Sequence, residues 1–367
     1  MNGEQGTLGA TRIHGGAEPL VHGGDESSLS DMDANQLRST ARELAAHCAK
    51  YQATSALTSI VQLVSTAALF MACCAAIFYG VAREWWPVLG LSPIAAGLMV
   101  RLFILQHDCG HGSFFRKRFA NDLVGRAISV ITLTPYDYWR QAHAIHHSTS
   151  GNLDRRGIGD IDTLTVAEYR ALPLRKKLSY RAYRHPFVWL LLGAPYHFTI
   201  VQRMPFGQVM SFAKIWRSVL LLDLALILVY GALLLLLGWK TLLIGFLPIS
   251  VMAAWIGGWL FFIQHQFEDA WWRKGEKWDF HSAAILGSSY YVMPRVLQWF
   301  TGSIGIHHIH HLCNKIPNYR LQECLDASPI LQGMCRMTLG QSIKCVRLAL
   351  WDEKAGKLVG FGTLKSA

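Results

Sequence analysis

Along the chain, apolar and polar positions sort into a polar lead, four long apolar runs and two polar stretches between and after them. Residues 1 to about 30 are rich in Gly, Ser and acids and have no early apolar core, which predicts a disordered cytoplasmic tail and no cleaved secretory signal. Residues 31–57 open with Asp31 and Asp33 and set Leu37, Ala41, Leu44, Ala45 and Cys48 near one face of a helix, a short amphipathic element. The apolar runs cover about 58–82, 86–106, 216–238 and 241–265. Each reaches the roughly 20 residues that a helix needs to cross about 30 Å of hydrocarbon. The connectors inside 58–106 and 216–265 are short, holding Arg83 and Glu84 in one and Lys240 in the other, so the runs pair into two transmembrane hairpins.

The segment between the hairpins, 107–215, is basic from Arg116 to Lys214, and the positive-inside rule makes it cytoplasmic, together with both termini and the region 266–367. Within it, FVWLLLGAPYHFTI (187–200) is apolar but short for a span and carries Pro195 and His197, which predicts an interfacial segment. Composition agrees with a membrane protein: 51% hydrophobic against 16% charged, where a soluble chain carries about a quarter charged residues. The net charge of +11 is then largely topological, and no nucleic-acid partner is implied. Eight cysteines without a CxxC pair indicate neither a disulfide framework nor a cysteine metal knuckle. The expected fold is an all-α integral membrane protein, four transmembrane helices in two hairpins under a helical cytoplasmic cap.

Chemistry concentrates in three histidine clusters. His107 and His111 form an HxxxH at the end of the second run; His143, His146 and His147 form an HxxHH in the central loop; His307, His310 and His311 form a second HxxHH after the fourth run. On a helix, i and i+4 share a face, while the adjacent pair of an HxxHH diverges by about 100°, so one cluster can reach two ions. A lone HxxxH is more often a surface or core pair than a ligand pair. Three clusters brought to one cytoplasmic mouth are hard to obtain by accident, and eight imidazoles exceed a structural zinc site of four ligands. Two ions are implied, and imidazole alone leaves Zn, Cu, Fe and Ni open. Asp108, Asp137, Glu268 and Asp269 are candidates to accept the far ring protons. Trp255, Trp259, Phe261, Phe262, Trp271, Trp272, Tyr290 and Tyr291 are candidate liners of an apolar tunnel, an interfacial aromatic belt being the simpler role for Trp271 and Trp272. His14, His22, His47, His185, His197, His281 and His308 are expected not to be ligands. A histidine-rich metal transporter or sensor would place ionisable ligands at mid-membrane, whereas these runs hold almost none, Asp223 being the main acid.

The three boxes, their order and their placement resemble the membrane fatty-acid desaturase family, from about residue 60 to 330. Locally, SGNLDRRGIGDIDTLTVAEYR, GGWLFFIQHQFEDAWW and HHIHHLCNKIPNYRL are similar to bacterial delta-12 or omega-6 acyl desaturases. The resemblance implies a bacterial inner-membrane enzyme whose non-haem di-iron centre, two Fe ions, uses O2 and two electrons to desaturate a fatty acyl chain carried by lipid, CoA or a carrier protein. The same scaffold also supports acyl hydroxylation, acetylenation and decarboxylation to terminal alkenes. No GxGxxG, CxxCH or ferredoxin-type cysteine run is present, so a separate electron donor such as ferredoxin is expected. Ligand arithmetic adds one residue. If one ion takes His107, His111, His143, His147 and His310, the other is left with His146, His307 and His311. His265, ending the fourth run at the same level, is placed to be the ninth ligand, and the family carries an additional His after its last span.

Overall fold

The computed structural model describes residues 33–204 and 209–365, and the expected tail 1–30 lies outside them. Helix α1 (Ala34–Ala49) starts where Asp33 accepts hydrogen bonds from the backbone N–H of Asn35 and Gln36, at 2.8 and 2.9 Å, and the Gln36 side chain bonds back in a capping box. Its buried face is Leu37, Ala41, Leu44 and Cys48, packed in one cluster with Ile309, Leu312, Leu321 and Cys324. An amphipathic helix thus props the third histidine box from below.

Among the described residues, four helices are long and apolar enough to cross a membrane: α2 (Ala56–Ala82), α3 (Ser92–His111, entered through a 3-10 turn Trp86–Leu91), and, after α4 (Arg118–Thr132) and α5 (Tyr136–Thr149), α6 (Phe212–Leu237) and α7 (Trp239–His265). At 1.5 Å per residue, helices of 26 or 27 residues extend about 40 Å, more than the hydrocarbon core, so their ends project beyond it. Helix α3 is central: from Ala95 to His111 every residue but Phe103 and Gly110 is buried. Helix α6 is the least buried of the four, with Ile227, Leu235 and Leu236 at 69, 88 and 79% exposure, an apolar surface of the kind that a bilayer covers. Gly238 at φ +75° lets α6 pass directly into α7, a reversal that a side chain would strain. Asp223 of α6 is paired with Arg203 at 3.1 Å. The protein is an all-α integral membrane protein with its spans in two hairpins.

The stretch Phe187–Thr199 is one π turn followed by a six-residue helix lying against α7, where Trp189 stacks on Phe262 at 4.2 Å and Trp255 Nε1 donates to the Leu191 carbonyl. It does not cross. Short strands add to the expected helices: β1 (Leu164–Thr165), β2 (Tyr290–Val292), β3 (Arg336–Thr338), β4 (Leu348–Asp352) and β5 (Lys357–Gly360), in sheets ordered β1-β4-β5 and β2-β3. Between β2 and β3 in the chain lie α8 (Arg295–Phe300), α9 (His307–Leu312) and α10 (Asn318–Asp326). Buried Arg184 ties the first sheet to the end of α7, donating to Gln266 Oε1 at 2.6 Å and the Leu348 carbonyl at 2.9 Å. All eight cysteines are free thiols.

Candidate metal centre

Four elements deliver the histidines. Helix α3 runs past the apolar stretch to His111 and stops at Gly112 in the left-handed conformation, φ +68°, so His107 and His111 occupy its last two turns. Helix α5 carries His143, His146 and His147; α7 ends on His265; the six-residue α9 carries His307, His310 and His311. All nine come together as two groups, His107, His111, His143, His147 and His310 in one and His146, His265, His307 and His311 in the other, the ligand atoms of each within 4.8 Å of one another. The groups abut, because the rings of His147 and His311 stack 4.0 Å apart. The HxxHH helices split as their 100° divergence requires: α5 gives His143 and His147 to the first group and His146 to the second.

Within the second group His265 Nε2 lies 3.1 Å from both His146 Nε2 and His307 Nε2. In the first, His147 Nε2 lies 3.0 Å from His143 Nε2 and 3.2 Å from His310 Nε2. The second group's tautomers follow from its outer partners. His146 Nδ1 meets Asp160 Oδ1 at 2.5 Å, and His265 Nδ1 meets the Gly287 carbonyl at 3.0 Å; both oxygens accept, so both Nδ1 atoms carry the proton. Where both rings are neutral, both Nε2 atoms present lone pairs to each other at 3.1 Å, which repel unless a metal ion or a proton lies between them. Two nitrogens bound at about 2.1 Å to one ion and about 95° apart stand about 3.1 Å from each other, so the spacing fits a shared metal. Nε2 of His111 and of His311, buried without a hydrogen-bond partner, are consistent with the same use. Burial, reinforced by the neighbouring imidazoles, pushes His143, His147, His307, His310 and His311 well below the ordinary histidine range, which leaves them neutral and able to donate lone pairs at pH 7.

The expected outer partners are largely corrected. Asp108 does approach His107, Oδ1 to Nδ1 3.5 Å, while its Oδ2 accepts from Asn318 N and Nδ2 at 2.8 Å. Asp137 instead faces Arg126, at 2.9 and 3.1 Å. Glu268 pairs with Lys357 at 2.7 Å and Asp269 is exposed, because the chain leaves the helical path at Gln266 and turns both acids outward. Asp160 was missed: it lies 14 positions beyond its histidine, in a loop without periodicity. Its neighbour Gly159, at φ +69°, was the available signal, since a Cβ there would stand 3.0 Å from His146 Cβ and 3.2 Å from the Ala142 carbonyl. The loop can approach α5 only as glycine.

His308 is buried but turned away, its Nε2 donating to the Leu331 carbonyl at 2.9 Å, and none of His47, His185, His197 and His281 joins either group. Of the eight aromatic candidates, Phe261 comes beside the imidazoles, 5.6 Å from His146 and 6.1 Å from His265 between ring centroids. Trp259 Nε1 donates to Tyr291 Oη at 3.4 Å, and Trp271 lies under the Arg273 guanidinium. A cavity of about 10 Å³, room for about one water, is lined by Ser150, Asp160, Phe261, His265, Gln266 and Trp272.

Comparison with known proteins agrees with the site. Residues 84–336 match the model of the family described as fatty acid desaturase. A fatty acid desaturase of Bacillus subtilis (strain 168) is 39% identical over 88% of this chain and 92% of its own length. An sn-1 oleoyl-lipid 12-desaturase of Synechocystis sp. is 27% identical over 78% of this chain and 79% of its own. An sn-1 acyl-lipid omega-3 desaturase (ferredoxin) of Nostoc sp. is 29% identical over 63% and 64%. Membrane helices, clustered imidazoles and these matches converge: the chain belongs to the fatty acid desaturase family.

Proposed function

We propose that the nine imidazoles hold two iron ions and that the protein desaturates a membrane-embedded acyl-lipid with omega-6/delta-12-like regiochemistry. The observation that carries the metal reading is the pair of Nε2 lone pairs of His146 and His265, 3.1 Å apart with both Nδ1 protons engaged elsewhere. The names of relatives support the rest: one acts on an oleoyl-lipid as a 12-desaturase, and another is named for ferredoxin. An iron pair, when bound, supplies the activation of O2 that removes two hydrogens from an unactivated CH2–CH2 unit. The overall balance is one O2, two electrons and two protons consumed, with one carbon–carbon double bond and two waters formed. The electrons come from a separate carrier such as ferredoxin, and the cap, with both termini, lies on the cytoplasmic side of a bacterial inner membrane, a reading that the basic loop supports.

The chain's own groups then have defined tasks. His107, His111, His143, His147 and His310 would hold one ion, and His146, His265, His307 and His311 would hold the other. Asp160 and the Gly287 carbonyl fix which nitrogen of His146 and His265 is bare. Phe261 and Trp272 supply an apolar wall to the cavity beside the second group, which limits water there. The test is expression in a bacterium of defined lipid composition, with new fatty acids located by mass spectrometry. A diene whose new bond lies toward the methyl end of an oleoyl chain supports the reading. A hydroxylated, acetylenic or terminal-alkene product, or none with iron and ferredoxin supplied, overturns it.

A further inference from the structure

Arg101 lies inside the second apolar run, only 4% exposed, and among the described residues no carboxylate pairs with it. A cation in such surroundings is costly and needs a reason. Its Nε donates to Thr66 Oγ1 of α2 at 3.2 Å, Nη1 donates to the Trp299 carbonyl, and the guanidinium sits 4.2 Å above the Trp299 ring. Two of those three contacts go to one residue, at the end of α8 and eight positions before His307.

Arg101 belongs to a stripe. Gly97, Arg101, Ile104 and Asp108 are spaced four, three and four apart, which keeps them on one face of α3, within about a quarter turn of His107 and His111. A Cβ on Gly97 would stand 2.7 Å from Phe300 Cδ1, and one on Gly302 would stand 2.7 Å from Ile104 Cγ2. Asp108 holds Asn318 by two bonds of 2.8 Å. The stripe therefore grips the chain at 299–302 and again at 318, and the third box lies between. From the other side Gln264, next to His265, donates to the Ile304 carbonyl at 3.2 Å. The turn before α9 is thus held by the helix that carries His107 and by the helix that carries His265.

We infer that Arg101 is a positioning residue of the metal centre, fixing the 299–304 turn on α3 so that α9 sets His307 and His311 against His146 and His265. The inference rests on the reading of the nine histidines as ligands of two ions. It predicts an asymmetric defect, because α9 supplies two of the four imidazoles of the second group but one of the five of the first.

The experiment is cobalt uptake by the purified full-length protein, counted per chain and read by its visible absorption, with product formation by the iron form measured in parallel. The variants are Arg101→Met, Arg101→Lys, Gly97→Ala and Thr66→Val. Methionine keeps the apolar stem and removes the charge, so a role in burial alone would survive it. Arg101→Met and Gly97→Ala are expected to bind about one ion in place of two and to lose at least tenfold in product. Arg101→Lys, a single-point donor that cannot reach both Thr66 and Trp299, should fall between. Thr66→Val should keep two ions. Two ions and normal turnover in Arg101→Met overturn the inference, and if that variant fails to insert, Gly97→Ala decides by the same criterion. Loss of an ion in Thr66→Val also overturns it, since Arg101 would then act by tying α2 to α3. If the wild type itself takes up fewer than two ions, the two-ion reading fails first and this inference with it.

Discussion

The proton on His146 Nδ1 decides what its other nitrogen can do, and Asp160 decides the proton. Replacing Asp160 with Asn keeps an acceptor but removes the charge, and replacing it with Ala removes both. Partners of this kind contribute about 10–100-fold in metal affinity. Asp160→Asn is expected to weaken one ion by about tenfold and Asp160→Ala by more, measured by metal retention during dialysis against a chelator; equal retention in all three proteins would exclude the role. His308 tests the opposite case, a buried imidazole that the site does not use. Burial pushes it down to about 4, its bond to the Leu331 carbonyl only partly offsetting this. Unfolded, it titrates near 6.5, so between pH 6.5 and 4 the unfolded chain takes up a proton that the native one refuses. Its contribution is present above pH 6.5 and is lost as the pH falls toward 4, by about 3 kcal/mol at most. His308→Ala should therefore keep substantial activity and show a shallower acid loss of thermal stability, whereas His307→Ala should lose nearly all activity. Equal losses of activity in both would show that the third box has been misread.

At the scale of elements, the legible part of the site was the part with helical period. The spacings HxxxH and HxxHH by themselves sort imidazoles by face, and α3, α5 and α9 carry them as that geometry demands. His265 was legible by position at the end of α7. The outer partners of His146 and His265 were not, because they come from turns: Asp160 from a glycine loop and the Gly287 carbonyl from a backbone atom that no side-chain pattern marks. Asp137, Glu268 and Asp269 are nearer in sequence to ligands yet point to Arg126, Lys357 and solvent. The strands escaped notice because β1 to β5 span only two to five residues each, too few for a period of two to show. Gly159→Ala tests the loop as an element. A Cβ at φ +69° is strained by roughly 1–2 kcal/mol and pushes against His146 and the Ala142 carbonyl, so the loop should lift from α5. The expected result is metal loss in the same direction as Asp160→Ala with Asp160 intact. Unchanged metal content would mean that the loop follows His146 rather than holding it.

For the whole molecule, orientation in the membrane and metal identity both depend on what surrounds the chain. If both hairpins enter from the cytoplasm, tags at residues 84 and 240 should be reached only from the far side, and tags at 190 and 360 only from the cytoplasm. A tag at 190 reached from the far side would break that arrangement, because 187–200 would then be a span. Metal identity is harder to read, since the nine proposed donors are all imidazoles and such a set takes zinc as readily as iron. Zinc outranks ferrous iron in intrinsic affinity, so protein made in quantity is expected to carry zinc whatever it uses in the cell. Content is then a poor guide, and activity must decide. Zinc has no redox chemistry, and desaturation requires that two electrons and O2 be brought together at the site. Protein stripped with a chelator and reloaded anaerobically with ferrous iron should form unsaturated product once a reduced ferredoxin and O2 are supplied. The same preparation reloaded with zinc should form none while keeping the same helix content by circular dichroism, because the imidazoles are held by the fold. Product formed with zinc as the sole metal would rule out an oxidative iron mechanism for these nine histidines.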